Sequence, residues 1–293
     1  EIYTLSLHDA LPISMVEQYS ANVQILMQQK ESRLRQVVRV ESGVVGKNAF
    51  FDQLNSTAAV KRTSRHADTP LVSTPHVRRR VSLVDYDWAD LVDNMDIKKV
   101  LIDPSSLYAI NARNAMNRAM DDELITAAFG TAYGGVDGST SYTFNTSDNQ
   151  IANASTDMTL AKLLSAKEIL DGNEVDEEGR FVILGSKQVS ALLNTTEVKS
   201  TDYNTVKALA AGQLDTFLGF KFIRSERLEV GSSIRKCIAG QKNSLLLAIG
   251  LDIVTDVGPR RDKNMATQVY LGMSIGATRM DEKGIVEIDC LES

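Results

Sequence analysis

The stretch from Asp103 to Gly130 constrains this chain more than any other. Asp103 offers a capping carboxylate, and Pro104 suits the first helical position, where a missing N–H costs nothing. Gly130 is the residue type that takes the left-handed conformation closing a final turn. Between them Tyr108, Ala112, Ala115, Met116, Ala119, Met120, Leu124 and Ala127 recur at three- and four-residue steps, which predicts one apolar face. Arg113, Asn117, Arg118, Asp121 and Asp122 are assigned to the other face. Roughly 26 residues at about 1.5 Å each make a rod of about 39 Å. So long a rod, with a narrow Ala-rich face, has to lie against a sheet or another long element. The stretch reads as a spine helix.

What surrounds it is bounded by composition. The 293 residues, 43% hydrophobic and 24% charged, suit one large globular domain or two lobes. A net charge of -6 argues against a dedicated nucleic-acid binder, while leaving room for a local basic surface. Cys237 and Cys290 lie too far apart in sequence for a disulfide framework or a metal-ligand spacing, and read as two reduced, partly buried thiols of a cytoplasmic product. No apolar run approaches the ~18 residues that span a bilayer. Residues 1–14 lack the basic start and apolar core of a signal peptide and read as a non-native or disordered leader, with Met15 as the natural start. From Val16 to about Val40, Val16, Tyr19, Val23, Leu26, Met27, Leu34, Val37 and Val38 predict one face of a terminal helix, with strand as the alternative over Val37 to Val40. Such a helix has to dock on its own domain or on a neighbouring copy.

Lys61 to Arg80 has the most unusual composition: Lys61, Arg62, Arg65, His66, His76, Arg78, Arg79 and Arg80 against a sole acid, Asp68. Pro70 and Pro75 exclude a helix. Val77 to Val84 is β-rich and leads into the acidic run Asp85 to Asp90 and Asp93, so the region reads as an extended two-stranded flap. A lone hairpin is marginal in water, which favours a subunit contact over a solvated loop or a phosphate patch. On a strand, alternation puts Arg79 on the face opposite Arg78 and Arg80. Arg65, Arg78, Arg79 and Arg80 are therefore candidate contacts; Asp121, Asp122 and Glu123, or the Glu174–Glu178 turn, are their candidate partners on a neighbouring subunit.

Beyond the spine, the glycines at 134, 135 and 138 have no phosphate-loop spacing and read as a loose surface loop that continues, polar, to Asp157. Thr159 to Leu170 predicts a helix capped by Asp157 or Thr156 and closed by Gly172. Arg180 to Leu184 is a buried strand, Ser186 caps a short helix through Leu193, and Val206 to Gln213 is a third helix. Phe217 to Arg224, with Gly219 inside, returns as strand, and the alternation suggests a compact α/β lobe. Leu245 to Ile249 is an apolar run with the look of a short helix. Val269, Leu271, Met273, Ile275 and Ala277 then alternate with Gln268, Tyr270, Gly272, Ser274, Gly276 and Thr278, the signature of a strand with one buried face. Asp281 to Gly284 is read as the turn of a hairpin back through Ile285 to Cys290, and this antiparallel pair is taken as the sheet beneath the spine.

Chemistry is nearly absent from the pattern. A nucleophile needs a held base, yet two of the three histidines, His66 and His76, lie in the basic flap. Asp121, Asp122 and Glu123 are consecutive and point in different directions around a helix, so they make no metal site. No catalytic, cofactor-binding or metal residues are assigned.

The wording of several segments is similar to one known family. Arg65-His66-Ala67-Asp68-Thr69-Pro70, the Arg-rich strand at Val77 to Val81, Ile102-Asp103-Pro104, Arg118-Ala119-Met120-Asp121-Asp122-Glu123-Leu124-Ile125, Leu218-Gly219-Phe220 with Ser225-Glu226, and Gly276-Ala277-Thr278-Arg279 occur in that order. Together they resemble the major capsid protein of tailed bacteriophages, over essentially Met15 to Ser293. The resemblance implies the Hong Kong 97 fold, an α+β architecture in which a long spine helix packs on an antiparallel sheet, with an extended β-hairpin loop and a compact α/β axial domain. By resemblance residues 15–50 are an N-terminal arm, 51–93 the extended loop, 94–130 and 230–293 the peripheral domain, and 131–229 the axial domain. It implies hexamers and pentamers of this chain building an icosahedral shell around double-stranded DNA, touched non-specifically. A separate scaffolding protein and a portal are the further implied partners, with no membrane. The expected location is the virion capsid, and the host cytoplasm during assembly. An encapsulin-like shell enclosing proteins, and an α/β enzyme, are the rival classes.

Overall fold

The computed structural model describes residues 27–66, 68–92, 105–194 and 216–292. The leader, Met15, most of the expected N-terminal helix, Asp103 and Pro104 at the head of the spine, and the expected helix over Val206 to Gln213 lie outside the described residues.

Among the described residues, three sheets organise the strands. Arg39–Ser42 (β1), Leu245–Arg260 (β13), Ala266–Arg279 (β14) and Val84–Val92 (β4) form one, in the order β1-β13-β14-β4. Asn48–Leu54 (β2), His76–Ser82 (β3), Ala132–Gly134 (β5) and Thr140–Tyr142 (β6) form the second, in that order. The third has the order β7-β15-β12-β8-β10-β9, from Gln150–Ile151 (β7), Ile285–Leu291 (β15), Ile234–Gln241 (β12), Arg180–Leu184 (β8), Phe220–Arg224 (β10) and Thr216–Phe217 (β9); Val230–Gly231 (β11) pairs with β12. Among the described residues the α-helices are Ser105–Phe129 (α1), Thr146–Asn149 (α2), Leu160–Gly172 (α3) and Ser186–Asn194 (α4).

The spine is present as α1, and Ala112, Met116, Met120, Leu124 and Ala128 are its most deeply buried apolar residues. The stripe is set by a strict four-residue step, so Ala115, Ala119 and Ala127 fall half-buried beside it and Tyr108 is exposed. Asp121, expected on the outer face, is fully buried. Gly130 does not take a left-handed φ; its N–H still bonds the Thr126 carbonyl at 2.9 Å, and a Cβ there would lie 2.7 Å from that oxygen. Glycine is placed there for close approach, not for a turn of the opposite hand.

The chain divides into two compact units. One comprises Glu1–Glu31, Asp85–Arg118 and Asp252–Met273. Within it Asn117 Nδ2 donates to the Lys30 carbonyl at 3.0 Å, and Arg118 Nη1 reaches Gln28 Oε1 at 2.7 Å. Tyr270 Oη donates to Asp87 Oδ1 at 2.5 Å, pinning β14 to β4. The acidic run after the flap is thus strand β4, its Asp85 and Asp87 exposed.

The other unit comprises Ser32–Val84, Ala119–Leu251 and Ser274–Ser293. Residues 32–38 are turns, and β1 begins at Arg39, so no helix runs from the terminus through Val40. The reason is Asp121: its carboxylate accepts from Ser32 Oγ (2.6 Å), Arg33 N (3.1 Å) and Leu34 N (3.3 Å), and a chain with these amides spent outward is held in turns. Leu245 to Ile249 is not a helix but the buried start of β13, paired in parallel with β1.

The expected hairpin from β14 to β15 does not form. No residue from Asp281 to Gly284 has the positive φ that tight hairpin turns require, and the link carries the chain from one sheet to another. β15 instead pairs antiparallel with β12 over seven residues and parallel with β7. Hence Ile285, Val286, Glu287 and Ile288 are all buried. β8 is buried at every residue, as expected, between β12 and β10. Phe217 to Arg224 is two strands, because Leu218 and Gly219 turn with φ of 54° and 85°. In α3 the cap is Thr159, whose hydroxyl accepts from Lys162 N at 3.3 Å; the helix closes through Asn173, and Glu174 takes φ 56°. The glycines after the spine lie in and around the short β5–β6 hairpin, an ordered extension of the flap sheet. Both thiols are fully buried rather than partly so.

Candidate assembly surface

The flap is built by β2 and β3, in register from Asn48↔Ser82 to Leu54↔His76. Alternation sorts its arginines by face. Arg79 points inward and is 6% exposed, with Nε on the Met280 carbonyl (3.1 Å), Nη2 on Glu282 Oε1 (3.2 Å) and its guanidinium 3.8 Å from the Tyr142 ring centroid. Arg78 faces outward; Asp52, its register partner on β2, binds it at 2.6 Å, and that guanidinium holds the Asp52 carboxyl below the usual carboxylate range. Arg80 lies over Tyr133, 4.9 Å to the centroid. Asp52, His76, Arg78, Val136 and Tyr142 line a cleft of about 380 Å³ where β3 meets the β5–β6 turn.

Beyond the paired strands the flap is open. Every described residue from Leu54 to Ser73 is exposed, including Leu54, Val60, Leu71 and Val72 among the apolar ones and Lys61, Arg62 and Arg65 among the basic. Arg65 sits in a turn at the tip, next to His66 with φ 60°.

The acids assigned as partners divide in the same way. Asp121 is spent on the turns at residues 32–34 and has no surface to offer a neighbour; like Arg79, it is corrected from a contact to an internal strut. Asp122 is taken by Arg227 in a two-pronged ion pair, and Glu123 is half-buried. The Glu174–Glu178 turn is different. Glu174, Asp176, Glu177 and Glu178 line the turn, and Arg180, buried behind it, takes the Val175 and Asp176 carbonyls and Asp171, leaving the Glu177 and Glu178 carboxylates facing out.

Sequence reasoning missed Arg279. It is fully buried, donates from Nη1 to the Ala128 and Gly130 carbonyls (2.9 and 2.8 Å) and from Nη2 to the Tyr142 carbonyl (3.0 Å), and stands over Phe144. The signal was there: Arg279 continues the parity of Val269, Leu271, Met273 and Ile275. Asp52, Glu282 and Arg227, the partners of three predicted residues, were also missed, since cross-strand and cross-loop pairing needs the register. No cluster of three metal-ligating side chains occurs among the described residues, and no described helix is long and apolar enough to cross a membrane.

The elements together define a class: an α+β fold with a spine helix, a flap and several sheets, shared with the shells of tailed phages. The capsid structure of cyanophage P-SCSP1u matches with a TM-score of 0.73 at 16% identity, over 95% of this chain and 94% of that one. The capsid of Ralstonia phage GP4 matches at TM-score 0.71 and 11% identity, over 100% and 99%. The head structure of Helicobacter pylori bacteriophage KHP40 matches at 0.69 and 10%, over 98% and 99%. The fold is Hong Kong 97-like. No curated protein matches this sequence. A family model described as phage capsid protein matches residues 11–292, and the chain belongs to that family.

Proposed function

We propose that this chain is the self-assembling subunit of an icosahedral phage head enclosing double-stranded DNA, and that its role is structural, not enzymatic. The observation that carries the reading is the family match across residues 11–292. On it, residues 51–93 act as the extended loop, 94–130 and 230–293 as the peripheral domain, 131–229 as the axial domain, and 15–50 as the arm. The exposed run from Leu54 to Ser73 supports a covering partner, because apolar side chains gathered on one open loop mark a contact. Charge selects the partner: the basic tip suits the acidic Glu174–Glu178 turn of a neighbouring copy, with Arg65 at the centre and Arg78, Arg80, Asp122 and Glu123 contributing at the margins. Each exposed pair contributes only about 0–1 kcal/mol. A closed shell repeats the contact in every subunit, so small losses multiply. A separate scaffolding protein, a portal and packaged DNA complete the partners, in the host cytoplasm and then in the virion.

Reciprocal charge reversal tests this. Arg65→Glu and Glu177→Lys should each lower particle yield, read by sedimentation and electron microscopy, while thermal unfolding of the free subunit stays unchanged. The double variant should recover yield. Normal yield in both single variants would remove the contact from the proposal. Purified particles should carry double-stranded DNA; particles filled with protein instead would favour the encapsulin-like reading.

A further inference from the structure

Glu287 and Asp289 are two residues apart on β15, which sets both side chains on one face. One amide spans them: Gln150 Nε2, on β7, donates to Glu287 Oε1 and to Asp289 Oδ2, at 3.1 Å each. Glu287 is 3% exposed, and the shared Gln150 amide brings its carboxyl and that of Asp289 to one spot. Two carboxylates can hydrogen-bond only if one of them holds a proton. Asp289 Oδ1 is buried and receives no donor among the described residues, an acceptor that a proton on Glu287 would satisfy.

Few cations oppose the pair. From β12, Lys236 Nζ stands 3.8 Å from Glu287 Oε1 but also serves Glu229 at 3.5 Å. From α3, Lys162 spends its Nζ on the backbone carbonyls of Asn153, Thr156 and Asp289, at 2.8–2.9 Å. On α2, the Asp148 carboxylate accepts from Asn145. One shared lysine therefore faces two acids.

We propose that Glu287, set beside Asp289 under the shared Gln150 amide, acts as a pH-sensitive latch between β7 and β15, closed while Glu287 holds its proton and loosened when Glu287 ionises. β7 is only two residues long and is held by the pairs Gln150↔Glu287 and Ile151↔Ile288, so loosening stays local to that edge. Burial pushes the Glu287 carboxyl up to about 7, with Lys236 opposing and Asp289 adding to the rise. The folded form thus holds the proton more tightly than the unfolded chain does. The stabilisation is fully present below an ordinary glutamate value of 4.5 and is lost as pH rises through about 7.

The test uses the full-length, unassembled subunit. Urea unfolding and hydrogen exchange at Gln150 and Ile151, corrected for intrinsic rate, are followed from pH 5 to pH 8. In the wild type the unfolding constant should rise roughly 10- to 100-fold more across that range than in Glu287→Gln, whose neutral amide keeps a donor for Asp289 at every pH. Asp289→Asn removes the like charge and should move the loss to lower pH. Equal pH profiles for wild type and Glu287→Gln overturn the latch. Should Glu287→Gln fail to fold, Asp289→Asn decides alone, and an unmoved window overturns it.

Discussion

Arg279→Met should be among the costliest single substitutions in the chain. The guanidinium is fully buried and makes three hydrogen bonds, all to backbone carbonyls. Two of them, on Ala128 and Gly130, lie at the end of α1, where the last carbonyls of a helix have no intrahelical donor. A cation there also meets the negative end of the helix dipole. Bonds from a charged donor contribute about 1.5–3 kcal/mol each. Burial opposes the charge, which is why this arginine is pushed below its usual value while remaining protonated at neutral pH. Removing the guanidinium recovers part of that desolvation but takes the donor from three carbonyls, one buried and two half-buried, so the net loss should be about 3–5 kcal/mol. Arg279→Lys keeps the charge and loses the fork that serves separate acceptors, and should fall between wild type and Arg279→Met. Urea unfolding of the free subunit by circular dichroism, at constant m, reads this directly. An Arg279→Met subunit within about 1 kcal/mol of wild type, or equal stability of the Arg279→Lys and Arg279→Met subunits, would refute the idea that this side chain ties the helix end to the flap sheet.

Two further outcomes follow from the same geometry. Asp121→Ala should cost about 2–4 kcal/mol, because Ser32 Oγ and the amides of Arg33 and Leu34 lose their acceptor, and amide exchange at residues 33 and 34 should accelerate with it. Leu218→Gly should be neutral or stabilising by up to about 1 kcal/mol in a melt, since Leu218 holds a φ of 54° that a side chain resists; a clear loss of stability would mean that the leucine packs more than the turn strains.

Much of the chain was legible in its sequence because local physics is enough for local structure. Three- and four-residue spacing marked α1, strict alternation marked β14, a continuous apolar run marked β8, and prolines kept the flap extended. The order of short segments carried the resemblance to phage capsid proteins, which the family match supports. Alternation through Arg78, Arg79 and Arg80 also foretold that their faces differ. What sequence could not supply was the partner of each element. β14 and β15 look like a hairpin from their own residues, and only the seven-residue pairing of β15 with β12 puts them in different sheets. Asp121 and Arg279 are charged residues that composition assigns to the surface, and the backbone groups that bury them come from residues 32–34 and 128–142. A residue's periodicity is fixed by its neighbours in the chain, whereas the satisfaction of a buried charge depends on groups about 90 to 150 positions away, whose arrival is set by the tertiary fold alone.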